Sequence, residues 1–231
     1  MTVEIKEIQT LDGKKIRCYV AKPTGTPKAA VLVVQEIFGV TDYVKWVLAE
    51  QYAKAGYLAI APAFFDRLTG YGEGAVNNVV AYDEAGTNQG RTWVDALGMD
   101  NPMRDLRAAQ QQLVGNLPTG VVGYCWGGSV AFLASTRLGF PSVSYYGGRT
   151  VPYLHEKPQA PVMLHFGESD HLITPPVVEA TRSVLRLSSP STEVFVYPAG
   201  HGFNRFGSKD FHAESSALAL ERTLKFFADS L

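Results

Sequence analysis

Apolar and polar positions change period several times along the chain, and the changes mark its elements. The first twenty residues, MTVEIKEIQTLDGKKIRCYV, alternate apolar and polar side chains with a break at Asp12-Gly13. This predicts two antiparallel strands joined by a turn. Ala29–Val34 (AAVLVV) is instead a continuous apolar run, too short for a helix and rich in valine. Such runs suit strands buried on both faces of a parallel sheet. Leu58–Ala61, Val121–Gly123, Val143–Tyr146, Val162–Phe166 and Glu193–Tyr197 repeat the theme. Helical patterns fill the intervals: Asp42–Ala55, Asn101–Val114, Gly127–Leu138, Pro176–Leu187 and Ala213–Ala228. Asp42 and Asn101 are candidate N-caps, and Pro102 fits a first helical position. The alternation predicts an α/β fold, a mostly parallel open sheet flanked by helices, with an antiparallel hairpin at its N-terminal end.

One stretch breaks the rhythm. Asp66–Gly98 contains Gly70, Gly72, Gly74, Asn77-Asn78 and Gly86-Thr87-Asn88, with weak periodicity. A segment of this length between regular elements is expected to be a partly helical cap or lid. Without a linker or internal repeat, the expectation is one domain over residues 1–231.

Composition narrows the class. The chain has 231 residues, 46% of them hydrophobic and 19% charged, and its formal net charge is −1. That length supports one sizeable core. The charge balance gives no electrostatic reason to expect a nucleic-acid or anionic-membrane partner. No apolar run reaches the roughly 18 residues of a membrane span, and the N-terminus lacks the layout of a signal peptide. A small-molecule substrate, a monomer and the cytoplasm are the default expectations. The two cysteines, Cys18 and Cys125, cannot form a disulfide framework, so each needs its own explanation.

Cys125 has one. Gly123-Tyr124-Cys125-Trp126-Gly127-Gly128 follows a predicted strand and opens a predicted helix. This is the G-x-nucleophile-x-G elbow with cysteine as the nucleophile, where glycines keep a sharp, strained turn free of side-chain collisions. A sulfur there faces a helix N-terminus, which favours its anion. The amide of the next residue, Trp126, is a natural oxyanion donor. The competing reading, a small buried core cysteine, loses weight once the downstream residues are considered. An elbow calls for an acid and then a histidine, each beyond a later strand. Asp170 follows the strand Val162–Phe166, and His201 follows Glu193–Tyr197 between two glycines. Of the other histidines, His165 reads as core, His155 and His212 as surface, and His171 comes too early in the order. No metal-ligand spacing and no nucleotide-binding glycine motif is present, so no cofactor is expected.

These segments carry a resemblance. Gln35-Glu36-Ile37-Phe38-Gly39, the cysteine elbow, Tyr145-Tyr146-Gly147, Gly167–Asp170 and Gly200-His201-Gly202-Phe203 together resemble the dienelactone hydrolase (carboxymethylenebutenolidase) family, of α/β-hydrolase fold. The resemblance implies a Cys125–His201–Asp170 triad, a Glu36 that contacts the resting thiol, and an oxyanion hole formed by the Ile37 and Trp126 amides. It also implies that Arg205, four residues after His201, binds a substrate carboxylate. For the family's second arginine, Arg91 is the nearest residue, shifted by about a helical turn. Phe38, Tyr145 and Phe203 are candidates to line an apolar pocket, and each is equally suited to core packing. The implied activity is hydrolysis of an activated, carboxylate-bearing lactone or enol ester. Broad carboxylesterase or thioesterase activity on the same triad, and a non-catalytic ligand-binding role, are the alternatives.

Overall fold

Why the N-terminal alternation makes a hairpin is visible in its register. In the computed structural model, which describes residues 1–71 and 78–231, β1 (Val3–Gln9) pairs antiparallel with β2 (Lys15–Ala21), from Val3 opposite Ala21 to Gln9 opposite Lys15. Thr10 closes the turn, its N–H donating to the Lys14 carbonyl at 2.8 Å. Ile8, Ile16, Cys18 and Val20 turn inward and are buried, the period-two face that the sequence displays.

Residues Met1–Thr119 and Gly120–Leu231 form two compact units. In the first, the strand order is β1-β2-β4-β3. β3 (Ala30–Val34) and β4 (Leu58–Pro62) are fully buried and run parallel, with Ala30 opposite Leu58. β4 also takes β2 as an antiparallel neighbour, Cys18 facing Pro62. Continuous apolar runs thus mark strands with no solvent face, as expected.

The helix expected over 42–55 begins as α1 (Asp42–Trp46) and widens into a π-helical stretch over Val47–Ala53. Its cap is Thr41, whose hydroxyl accepts the Val44 N–H, rather than Asp42, which occupies the first turn. Asn101 likewise lies inside α4 (Asp100–Ala109), which continues as a π-helical turn over Gln110–Val114. A short α2 (Asp66–Thr69) follows β4.

The irregular stretch is partly helical, as its sequence suggested, and α3 (Glu84–Leu97) is capped by the Asp83 carboxylate on the Gly86 N–H at 2.7 Å. Gly72, Gly74 and Asn77 of that stretch lie outside the described residues. α3 packs closely because two glycines face inward. A Cβ at Gly86 would overlap the Ala81 carbonyl, and one at Gly90 would overlap the carbonyl of Ile37. Trp93 meets Phe65 edge-on at 4.9 Å.

Of the remaining strands, β5 (Thr119–Tyr124), whose first residue ends the first unit, β6 (Ser142–Tyr145), β7 (Val162–Gly167) and β8 (Glu193–Tyr197) lie in chain order, all parallel. β5, β6 and β7 are wholly buried, whereas β8 is half-exposed. α5 (Trp126–Arg137), buried along nearly its whole length, connects β5 to β6. α6 (Pro175–Ser188) connects β7 to β8, and α7 (Ala213–Ser230) closes the chain. β6 ends one residue earlier than the hydropathy indicates: Tyr146 leaves the strand with φ at +41°. Among the described residues, no helix is long and apolar enough to cross a membrane.

Candidate active site

The elbow forms where the glycine pattern placed it. β5 stops at Tyr124, α5 starts at Trp126, and Cys125 between them has φ at +56° and ψ at −120°. A non-glycine residue in this region is strained and persists only when its surroundings hold it. Here the Cys125 N–H donates to the Tyr145 carbonyl at 3.0 Å, and the Cys125 carbonyl accepts from Gly128 at 2.9 Å. A side chain at Gly123 would overlap the Gly127 carbonyl. The glycine is therefore obligatory for so tight a turn.

Asp170 and His201 reach the sulfur because two loops interlock. After β7, the Glu168 N–H donates to the Tyr197 carbonyl at 2.8 Å and the Ser169 N–H to the Ala199 carbonyl at 3.0 Å. A side chain at Gly167 would collide with the Ala199 carbonyl. The two loops thus run side by side, and their polar side chains meet. Asp170 Oδ2 lies 2.8 Å from His201 Nδ1, and His201 Nε2 lies 3.3 Å from Cys125 Sγ. Asp170 Oδ1 is fixed separately by the Leu172 and Ile173 N–H groups at 2.8 and 3.1 Å. The Tyr146 ring packs behind the imidazole, 5.1 Å between centroids.

Electrostatics follow from this arrangement. Burial alone would drive the His201 imidazole toward neutrality. The hydrogen bonds to the Asp170 carboxylate and the Cys125 sulfur, with the charges of both, outweigh it and raise its pKa to about 10. Burial would likewise push Asp170 upward, yet the bond and charge of His201 and two backbone N–H donors hold it below its usual value. An imidazolium beside Sγ is the counter-charge that a thiolate nucleophile needs.

The remaining sequence candidates fall in several places. Trp126 is buried at the first position of α5. Glu36 is 2% exposed in the segment just after β3, and Ile37 supplies the carbonyl against which Gly90 rests. Phe38 is buried, with its ring 4.4 Å from that of Tyr82. Tyr145 and Phe203 are fully buried. The Tyr145 hydroxyl is 2.7 Å from the Thr223 hydroxyl, and Phe203 packs among Tyr145, Tyr146 and Tyr197. Both therefore sit in the aromatic packing around Tyr146, whose ring lies against His201. Arg91 is exposed on α3. Arg205 donates to the Asp210 carboxylate at 3.0 Å.

His165 is core, as read from the sequence. It is fully buried and joined to the Tyr197 hydroxyl at 2.8 Å and the Thr223 hydroxyl at 3.1 Å, and burial with the nearby Arg222 charge lowers its pKa to about 3. His212 has a structural task that the sequence reading missed: its Nδ1 accepts the Ser215 N–H and caps α7. Tyr146 was missed as well, because a positive φ at a tyrosine has no signature in a linear sequence. Among the described residues, no group of three or more His, Cys, Asp or Glu side chains could hold a metal.

Comparison with known proteins identifies the family. The model of the dienelactone hydrolase family matches residues 16–231. The chain is 31% identical to a carboxymethylenebutenolidase of Pseudomonas putida, over 99% of this chain and 97% of that one. It is equally 31% identical to a putative carboxymethylenebutenolidase of Yersinia pestis, over 93% of this chain and 84% of the other. Among solved structures, a putative dienelactone hydrolase from Klebsiella pneumoniae is 26% identical and superposes with a TM-score of 0.82 over 99% of both chains. A dienelactone hydrolase-like promiscuous phosphotriesterase from metagenomic libraries shares the fold, at 19% identity and a TM-score of 0.76 over 100% of this chain and 99% of that one. The chain thus belongs to the dienelactone hydrolase family, with its α/β-hydrolase fold, and is a hydrolase.

Proposed function

We propose that the protein hydrolyses an activated lactone or enol ester, dienelactone-like and carboxylate-bearing, through an acyl-Cys125 intermediate. The observation that carries this reading is the pair of distances at His201, 3.3 Å to Cys125 Sγ and 2.8 Å to Asp170 Oδ2. In the first half-reaction Sγ attacks the acyl carbon and the ring C–O bond breaks. The departing oxygen takes the proton held by His201 Nε2. In the second half, His201 removes a proton from water as its oxygen attacks the thioester. The C–S bond then breaks, giving a carboxylic acid and the regenerated thiolate–imidazolium pair. Asp170 keeps Nδ1 occupied, so Nε2 always faces the reacting atoms.

The family resemblance implies that the Ile37 and Trp126 amides are the oxyanion donors and that Glu36 contacts the resting thiol. A carboxylate beside a sulfur that must ionise opposes that ionisation. Glu36 therefore acts as a gate, released when an anionic substrate competes with it. Peptide chemistry fits this site less well. A thiolate is itself a good leaving group, so tetrahedral adducts revert unless the alcohol departs easily. Enol lactones, aryl esters and thioesters meet that condition. Esterase activity on such substrates is the second reading, with the same three residues in the same roles. All three come from one chain, which suits a monomer, and two free thiols suit a reducing compartment such as the cytoplasm.

The test is a screen of wild type and Cys125→Ala against cis- and trans-dienelactone, neutral enol lactones and p-nitrophenyl esters. Wild type is expected to turn over enol lactones and aryl esters, and the variant to lose at least about a thousandfold in kcat/KM. Turnover that survives Cys125→Ala would contradict the reading.

A further inference from the structure

The first unit carries a cleft of its own, of about 340 Å³, at the low end of the range for small-molecule sites. Its lining comes from three stretches of chain. Arg17 and Tyr19 lie on the half-buried face of β2, the alternate face to that of Cys18. Ala63, whose N–H donates to the Arg17 carbonyl at 2.8 Å, adds only a methyl group beside them. Val40–Tyr43 with Lys45, and Asn78–Val80 with Tyr82, complete the lining. Among the described residues that line the cleft, none belongs to the triad.

Bonds within the unit fix these stretches. The Val80 N–H donates to the Phe38 carbonyl at 3.1 Å, and Val79 bridges to Gly39. The Tyr82 hydroxyl lies 2.9 Å from that of Thr41, and its ring 4.4 Å from that of Phe38. Arg17 Nε and Nη2 donate to the buried Asp66 carboxylate at 2.9 and 2.7 Å, with the guanidinium over the Tyr71 ring at 5.1 Å. Those bonds leave the Nη1 hydrogens for another acceptor. Lys45 Nζ stands 5.6 Å from the centre of the Tyr19 ring and 3.0 Å from Asp42 Oδ1. The Asp42 side chain is 99% exposed, so water screens that pairing and the ammonium stays largely unanswered.

The cleft thus offers one net positive charge and guanidinium donors beside the rings of Tyr19, Tyr43 and Tyr82. Oxygens of a single negative charge meet the donors. A doubly charged anion would face Asp42 and Asp66 with one of its charges uncompensated. Tyrosine rings flanked by valines suit a flat apolar body. We propose that this cleft is a second, non-catalytic binding site for a small aromatic carboxylate, its ring among the tyrosines and its carboxylate between Arg17 and Lys45.

Titration with p-fluorobenzoate, followed by fluorine NMR, tests this. Wild type is expected to saturate with a Kd on the order of 1 mM. Acetate, benzyl alcohol and inorganic phosphate, used as competitors, should each bind at least about fivefold more weakly. Lys45→Ala should weaken p-fluorobenzoate about threefold, with the difference shrinking as salt is added. Ala63→Leu, checked for folding by its melting curve, should abolish saturation by filling the cleft. Tyr82→Ala, at a half-exposed position that the fold tolerates, should weaken binding at least about fivefold. Cys125→Ala should keep the wild-type Kd, so this site stands or falls apart from the catalytic reading. No saturation in wild type, binding unmoved in Tyr82→Ala or in folded Ala63→Leu, or phosphate or acetate binding as tightly as p-fluorobenzoate would overturn the proposal.

Discussion

The protein has two cysteines, and their surroundings differ in every respect that governs thiol chemistry. Cys18 sits in mid-strand on β2, paired in register with Lys6 and Pro62 and wholly buried. Burial pushes its thiol far above the usual range, and the charges of Asp105 and Asp66 push it further. Cys125 stands at a chain reversal with φ at +56°, partly exposed and 3.3 Å from the Nε2 of a histidine whose pKa is raised to about 10. One thiol is a small apolar core group. The other has an imidazole beside it, a helix N-terminus behind it and a carboxylate hydrogen-bonded to that imidazole. Reactivity is decided by these environments, since the side chain is the same.

The comparison can be broken most severely by removing the orienter. Asp170→Asn keeps an oxygen for the Leu172 and Ile173 N–H groups but no longer carries the charge that supports the His201 imidazolium. A loss of about 10³- to 10⁴-fold in kcat is expected, together with a lowered melting temperature, because the same charge pairing with His201 stabilises the fold. Steady-state kinetics on p-nitrophenyl acetate beside a melting curve checks both halves. A loss below tenfold would reduce Asp170 to a loop-bracing group.

Cys18→Ser probes the other side. A hydroxyl introduced into this fully buried strand position without a partner costs about 1–3 kcal/mol. The expected result is a melting temperature lowered by a few degrees, with kcat per folded molecule unchanged. Denaturant titration at constant slope would measure the cost. Loss of activity without loss of stability would give Cys18 a role that its surroundings do not suggest.

A smaller effect concerns pH. His201 has a folded pKa of about 10, raised from an ordinary 6.5. Its contribution to stability is fully present below about pH 6.5 and is lost as pH rises through 10. Asp170 works in the opposite direction: its pKa is lowered from 3.8, so its contribution is present above that value and is lost as pH falls. The melting-temperature difference between wild type and His201→Asn should therefore shrink steadily from pH 6.5 toward 10. A difference constant across that range would mean that the imidazolium is not what the fold stabilises.

How far the sequence alone could reach follows from which features are periodic or short-range. Ala30–Val34 and Val162–Gly167 were visible as buried strands because their apolar runs are local. The elbow was visible because steric exclusion at Gly123 leaves a fixed pattern of glycines around Cys125. Asp170 and His201 were found through their order after successive strands, a topological rule rather than a local one. Features that depend on tertiary closure were not legible. Nothing in a linear reading shows that Tyr146 takes a positive φ beneath His201, that Thr41 rather than Asp42 caps α1, or that Asp210 faces Arg205. In each case the partner is chosen by how an irregular segment folds back on itself. The widening of α1 and α4 into π-helical turns also left no mark in the apolar spacing.

The central claim, that Cys125 and not Cys18 forms the covalent intermediate, is tested most directly by trapping it. Wild type is mixed with p-nitrophenyl acetate, quenched in acid during the first turnovers and mapped by peptide mass spectrometry. The account expects an acetyl group on the peptide containing Cys125, in an amount matching any burst of p-nitrophenol, with the Cys18 peptide unmodified. Steady p-nitrophenol release with Cys125 unacetylated throughout would contradict it.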